Sequence, residues 1–351
     1  MSDRRTERRR GTLVARLLAG GWRAVPPPLE MGAADLREIA GLLLRSGGAG
    51  LAWRRLRELP LAASPEADRL RQAYRLQVLR ASLHERDLQH ALAILRAIGI
   101  EPLLVKGWAV ARWYPEPPVR AYGDIDLCVR PGDFGAVKAA LGEECAVDLH
   151  CGLPPLDDRP LQDIWQRAVA VAGEGFSVAT PAREDHLRYL CLHALAHGIC
   201  RPLWLADLGA AVETAEALDW DRVLSGDGRR TQWVICALGL ASRLLGARLM
   251  GAPVRVAEAP LPKWLIPSVL EGWGRPTVAH GNRTPMAHYL RRPAGLMGAL
   301  RTRWPGPIEA SIGRRAAFDE RPRLPIQAAE CVSRTLRFAR AVPALLRAAD
   351  R

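Results

Sequence analysis

The chain has 351 residues, 49% hydrophobic and 25% charged, enough apolar material for an ordinary core and too much for a disordered polypeptide. Its net charge of +13 draws polyanions, but Lys106, Lys138 and Lys263 are the only lysines, and the excess arginine lies scattered beside alanine, glycine and proline, as a GC-rich coding bias produces. Charge therefore does not separate a nucleic-acid partner from a small polyanion. No apolar run approaches the roughly 20 residues that span a bilayer. The seven cysteines are odd in number and lack C-x-x-C pairs, which indicates neither a disulfide framework nor a cysteine zinc site, and a cytoplasmic protein is expected.

In chain order, residues 1–30 read as a basic arm, dense in arginine from Arg4 to Arg10, followed by a glycine- and proline-rich linker over Gly20–Pro28. The arm can hold an acidic partner or simply be solvated. Residues 31–87 read as helical, with Leu36, Ile39, Leu42 and Leu43 on one face and Gly47-Gly48 as a stop. The longest element starts at Ser64, an N-cap followed by Pro65, Glu66 and Asp68, and runs to Gly99, with a kink or division midway expected. Residues 88–155 carry a strand over Glu101–Val105, a turn at Lys106-Gly107, a short helix, a strand through Asp124, a helix through Leu141 and a strand over Cys145–His150. That succession is a compact α/β unit. Residues 156–250 read as helical throughout, and residues 251–351 as a proline- and glycine-rich region closed by a helix over Ile326–Ala349, interrupted at Pro343.

The chemistry concentrates in the α/β unit. Asp124 and Asp126 are separated by one residue in an apolar run, so on a strand both project from one side. Asp148 on a neighbouring strand would complete an acidic cluster able to hold two magnesium ions. The alternative is that these carboxylates cap turns or pair with arginines. Lys106 and Gly107 close the first strand and open a helix, where glycine admits a phosphate to the backbone and lysine adds charge. Arg120 and Gly123 precede Asp124, and Arg120 is either a further phosphate contact or a solvated loop arginine. His150, two residues after Asp148, shares its strand face and can contact phosphate, accept a proton, or close a strand end.

His193 and His197, four apart, share a helix face. With Asp207 they can form a zinc set, line the acceptor side of a site, or serve packing alone; the zinc-protease pattern is absent because Ala194 stands where its glutamate would be. Asp207, inside an apolar helix, needs a partner, and one of these histidines is a candidate.

The ordered set Leu103-Leu104-Val105-Lys106-Gly107, Tyr114-Pro115, Arg120, Gly123-Asp124-Ile125-Asp126-Leu127 and Val147-Asp148-Leu149-His150 resembles the uncharacterised nucleotidyltransferase family of the polymerase beta superfamily. Leu192-His193-Ala194, His197-Gly198 and Leu203-Trp204-Leu205-Ala206-Asp207-Leu208 resemble its helical segment. The resemblance implies an α+β fold, a small mixed-sheet nucleotidyltransferase core over residues 88–155 with flanking helices and a helical domain after it. It further implies Mg2+ and a nucleoside triphosphate as co-substrate, with Asp124, Asp126 and Asp148 as metal ligands. A nucleoside monophosphate would pass to an acceptor hydroxyl or phosphate on a small molecule, peptide or protein, with release of pyrophosphate. Nucleic acid is the less favoured acceptor, and the competing reading is an accessory protein that binds nucleotide or peptide without turnover. One departure stands out: superfamily members generally carry Gly-Ser where this chain has Lys106-Gly107, so the serine's phosphate contact is missing.

Overall fold

The computed structural model describes residues 3–142, 145–276 and 303–349. The N-terminal segment is not the solvated arm its arginines imply. Arg4–Leu18 forms helix α1, N-capped by the Asp3 side chain on the Arg5 amide. Leu13, Val14, Leu17 and Leu18 are buried on one face, and Arg8, Arg9 and Arg10 on the other pair with Glu271, Asp35 and Glu38. Those acids lie far away in sequence, so a local reading leaves the arginines without partners.

Helices α2 (Ala33–Ser46) and α3 (Ala49–Leu56) follow, and then α4, one continuous 33-residue helix over Pro65–Ala97. The Ser64 hydroxyl caps the Ala67 amide, as Ser64-Pro65 foretells. No division occurs midway. α4 buries Ala67 and Leu70 in the larger core and Leu88, Ala91, Leu92 and Leu95 in a second core under the sheet, so it is a strut of about 50 Å between them.

Strand β1 (Leu103–Leu104), the single-turn helix α5 (Trp108–Ala111), β2 (Ile125–Val129), α6 (Phe134–Leu141) and β3 (Val147–Cys151) form the expected α/β unit. The sheet is larger than expected. After α7 (Leu161–Gln166), residues read as helical form a hairpin, β4 (Val169–Gly173) and β5 (Phe176–Thr180), turned at Gly175 with φ +75°. Strand β5 pairs in parallel with β1 through Leu103 and Ala179, giving the order β3-β2-β1-β5-β4. The Val-Ala-Val-Ala stretch has weak strand propensity because of its alanines, and it continues the apolar pattern of α7.

The second half contains α8 (Arg183–Ala196), α9 (Pro202–Glu213), α10 (Trp220–Leu224), α11 (Gly228–Leu245), α12 (Val254–Ala257) and α13 (Leu265–Gly274). After these come α14 (Pro307–Gly313) and α15 (Leu324–Ala349), which continues through Pro343. The fold is therefore α+β, a five-stranded mixed sheet among helices. Residues 277–302 of the expected proline- and glycine-rich region lie outside the described residues.

Helices α1 and α13 approach to backbone contact. A Cβ added at Gly11 would lie 2.1 Å from the Leu270 carbonyl oxygen, and one at Gly274 would lie 1.8 Å from that of Glu7. Neither obstacle is a flexible side chain. Gly274→Ala is therefore expected to destabilise the protein by about 2 kcal/mol or more. A urea midpoint equal to wild type would show instead that α1 is held loosely.

Candidate active site

Register builds the centre of the site. Strands β2 and β3 are parallel, with Asp126 opposite Asp148 and Cys128 opposite His150. Ile125, Leu127 and Val129 point into the core beneath α4 and α6, so alternation turns Asp126 and Cys128 to the other face, toward α8. There His150 Nε2 lies 3.0 Å from Asp126 Oδ1 and 3.3 Å from Asp148 Oδ2. Asp126, Asp148 and His150 each offer a ligand atom, all within 4.8 Å of one another, a geometry able to hold a metal ion. Asp124 is not in that group; it is exposed, one residue before β2 begins.

Asp126 is buried, its side chain 6% exposed. Burial alone would raise its pKa, but the His150 hydrogen bond and the Lys106 charge outweigh that effect and the net shift is downward. The Lys106 ammonium stands 2.5 Å from Asp126 Oδ1, so the chain supplies its own cation at this oxygen. His150 donates its Nε2 hydrogen to Asp126 here; to ligate a metal through Nε2 it must carry its proton on Nδ1.

The turn that places Lys106 is pinned from two sides. The Val105 amide donates to the Asp126 carbonyl at 3.3 Å, and His186 of α8 donates Nε2–H to the Val105 carbonyl at 2.6 Å. Gly107 adopts φ +57°, ψ −116°, and a Cβ there would meet the Asp124 carbonyl oxygen at 3.1 Å. Glycine is required here for both its torsion and the close approach of two chain segments.

Arg120 faces neither solvent nor an open cleft. Its Nε and Nη2 bind the two Asp207 oxygens at 3.1 and 2.7 Å, and Nη1 donates to the Ala121 carbonyl at 3.0 Å. The Tyr114 hydroxyl donates to Asp207 at 2.8 Å, so the partners of Asp207 are an arginine and a tyrosine and not a histidine. That pairing leaves the zinc set of His193, His197 and Asp207 unassembled. Burial lowers and Asp207 raises the Arg120 pKa, with a net upward shift, while burial and the Asp207 charge hold Tyr114 well above the ordinary tyrosine range.

His193 and His197 belong to an aromatic group on α8 and α9. The His193 ring stacks on Tyr189 with centroids 6.0 Å apart, meets Trp204 edge-on at 5.4 Å, and lies 4.6 Å from the His197 ring. Burial, reinforced by the Lys106 charge, pushes the His193 pKa down to about 2, so the ring is neutral. Sequence reasoning passed over His186 and Tyr189, yet 186, 189 and 193 follow the i, i+3, i+7 spacing of one helix face.

A mixed sheet with two carboxylates and an imidazole on one face, beside a lysine-glycine turn, defines an α+β protein whose sheet carries a group able to hold a metal ion. The sequence matches the uncharacterised nucleotidyltransferase family over residues 33–146 and 142–246, more than half its length, and the chain belongs to that family. No curated protein and no solved structure matches it.

Two predictions follow from the buried groups. Asp207→Asn leaves the Arg120 guanidinium buried without its counter-charge and is expected to cost about 3 kcal/mol or more, whereas Tyr114→Phe removes one hydrogen bond at about 1 kcal/mol. Equal effects in urea unfolding would contradict the ion pair's dominance. Burial also lowers the His186 pKa to about 4, against the hydrogen bond to Val105. Below pH 6.5, the ordinary histidine value, the unfolded chain binds a proton at His186 and His193 that the folded protein does not. Stability should therefore fall as pH drops from 6.5 toward 4, less steeply in His193→Gln, and an identical slope in that variant would refute the assignment.

Proposed function

We propose that the protein is a divalent-metal-dependent nucleotidyltransferase that moves a nucleoside monophosphate from a triphosphate to an acceptor hydroxyl or phosphate. Family membership supports the reaction class. The observation that carries the site is the register setting Asp126 opposite Asp148, on the same sheet face as His150 and next to the Lys106-Gly107 turn.

The residues fit a metal. A buried carboxylate oxygen already draws a cation, Lys106, and two further donor groups stand around it. Asp126 and Asp148 would hold the ion with His150, and Asp124 at the strand's mouth would bring a carboxylate to a second one. Carboxylates suit Mg2+, whereas an imidazole in the set also accommodates Mn2+. The metal would supply charge neutralisation on the triphosphate.

The chain's own residues do the rest. Lys106, drawn off Asp126, meets the phosphates, and the glycine beside it keeps the backbone open to them. The acceptor oxygen forms a bond to the α-phosphorus as the bond from α-phosphorus to the bridging oxygen breaks, and pyrophosphate leaves. Asp148, whose side chain is 60% exposed, takes the acceptor proton. Tyr189, His193 and His197 form the wall opposite, on the acceptor side, and the neutral His193 adds no charge there. Arg120 and Asp207 act through position, since each is used up by the other.

The second reading, nucleotide binding without turnover, draws on the Lys106–Asp126 contact and the missing Gly-Ser. Mg2+ or Mn2+ with each nucleoside triphosphate should raise the melting temperature of wild type, and Asp124→Asn with Asp126→Asn should abolish the rise. Incubation with cell extract and α-labelled nucleotide should then label an acceptor. A shift without any pyrophosphate release would favour the accessory reading, and no shift with any nucleotide would defeat both.

A further inference from the structure

A cavity of about 870 Å3 is lined by His197 and Gly198 from the end of α8, Arg4 of α1, Arg45 of α2, Trp264 and Trp273 at α13, and Trp304. That volume suits a molecule up to roughly nucleotide size. The cavity shares His197 with the wall, whose ring is 4.6 Å from that of His193.

Two observations mark it as more than a packing gap. The turn at its edge is strained: Gly198 and Ile199 both take left-handed torsions, φ +66° and +51°, which a β-branched side chain rarely adopts. Ile199 is fully buried, and its carbonyl accepts the Trp273 indole N–H at 2.8 Å, so the surroundings hold the strain in place. The second observation is charge. Among the lining cations, Arg275 pairs with Glu7 and Glu271 and Arg323 with Asp319, whereas Arg4 and Arg45 pair with no carboxylate among the described residues. The lining carboxylates Glu271 and Glu309 face Arg8, Arg275 and Arg334, and the Trp264 ring carries the Arg323 guanidinium at 5.0 Å, which leaves the guanidiniums of Arg4 and Arg45 and the Trp304 indole. A guanidinium matches a carboxylate or phosphate, and an indole face matches a flat or apolar body.

We infer that this cavity binds a small anionic molecule, with its phosphate or carboxylate on Arg4 and Arg45 and a ring or apolar body against the half-exposed Trp304.

The test uses the full chain without metal or nucleotide, titrated by calorimetry with phenyl phosphate, benzoate and the neutral benzyl alcohol. Wild type should bind both anions saturably and benzyl alcohol at least tenfold more weakly. Arg45→Glu, at an exposed position where the fold loses no ion pair, should weaken anion binding at least tenfold, and Trp304→Ala should weaken all three. Asp126→Asn should leave the affinities unchanged. Absence of saturable binding, binding indifferent to Arg45→Glu and Arg4→Glu, or binding lost in Asp126→Asn would each overturn the cavity as the anion site. The failures separate cleanly: anion binding without any response to metal and nucleotide upholds the cavity and removes the transfer reading, and the converse removes only the cavity.

Discussion

The ion pair between Arg120 and Asp207 is the constraint on which the site's geometry turns. It joins the lead-in to β2 with α9, two elements 87 residues apart, and both groups are buried. Buried ion pairs repay their desolvation only when every donor and acceptor is used, and here the fork of Arg120 meets both carboxylate oxygens while Tyr114 fills a further site. Its importance lies in geometry more than in net stability. Residues 121–124 run without regular structure into β2, and the guanidinium that grips the Ala121 carbonyl sets where that run begins. The position of Asp124 thus depends on a carboxylate in the helical half.

A second dependence follows at Asp126. A carboxylate this buried tolerates ionisation only with positive partners, and the chain provides Lys106 and a His150 hydrogen bond on one oxygen. The same donors that keep Asp126 ionised would have to rearrange for a metal to bind it. The turn that carries Lys106 is built on a glycine at positive φ whose missing Cβ lets it pack against the Asp124 carbonyl. At this turn the chain places a cation on the Asp126 oxygen.

Much of this was legible in the sequence, and for physical reasons. Asp126 and Asp148-Leu149-His150 obey strand alternation, so their facing could be read without coordinates, whereas Asp124 falls before β2 begins; Ser64-Pro65 marked a helix start that the structure keeps. What escaped depends on distance along the chain. The arginines of α1 looked unpartnered because Asp35, Glu38 and Glu271 come from other elements. Nearness in sequence makes a histidine the candidate partner of Asp207, while its actual partners Arg120 and Tyr114 lie 87 and 93 residues earlier. The β4–β5 hairpin was lost to alanine, whose small side chain fits a strand or a helix and decides neither.

Helix α8 ties these features together, since it reaches from the sheet to the cavity. Its first turns hold the sheet through His186 on the Val105 carbonyl, its middle brings Tyr189 and His193 within the charge of Asp126, and its end carries His197 to the edge of the cavity. Such a helix cannot shift along its axis without moving the Lys106 turn at one end and the strained Gly198-Ile199 turn at the other. The indole of Trp273 fixes the latter and the imidazole of His186 the former, each through a single buried hydrogen bond to a main-chain carbonyl. One helix therefore joins the two turns, and the neutral state of His193 keeps it free of a charge that would repel Lys106.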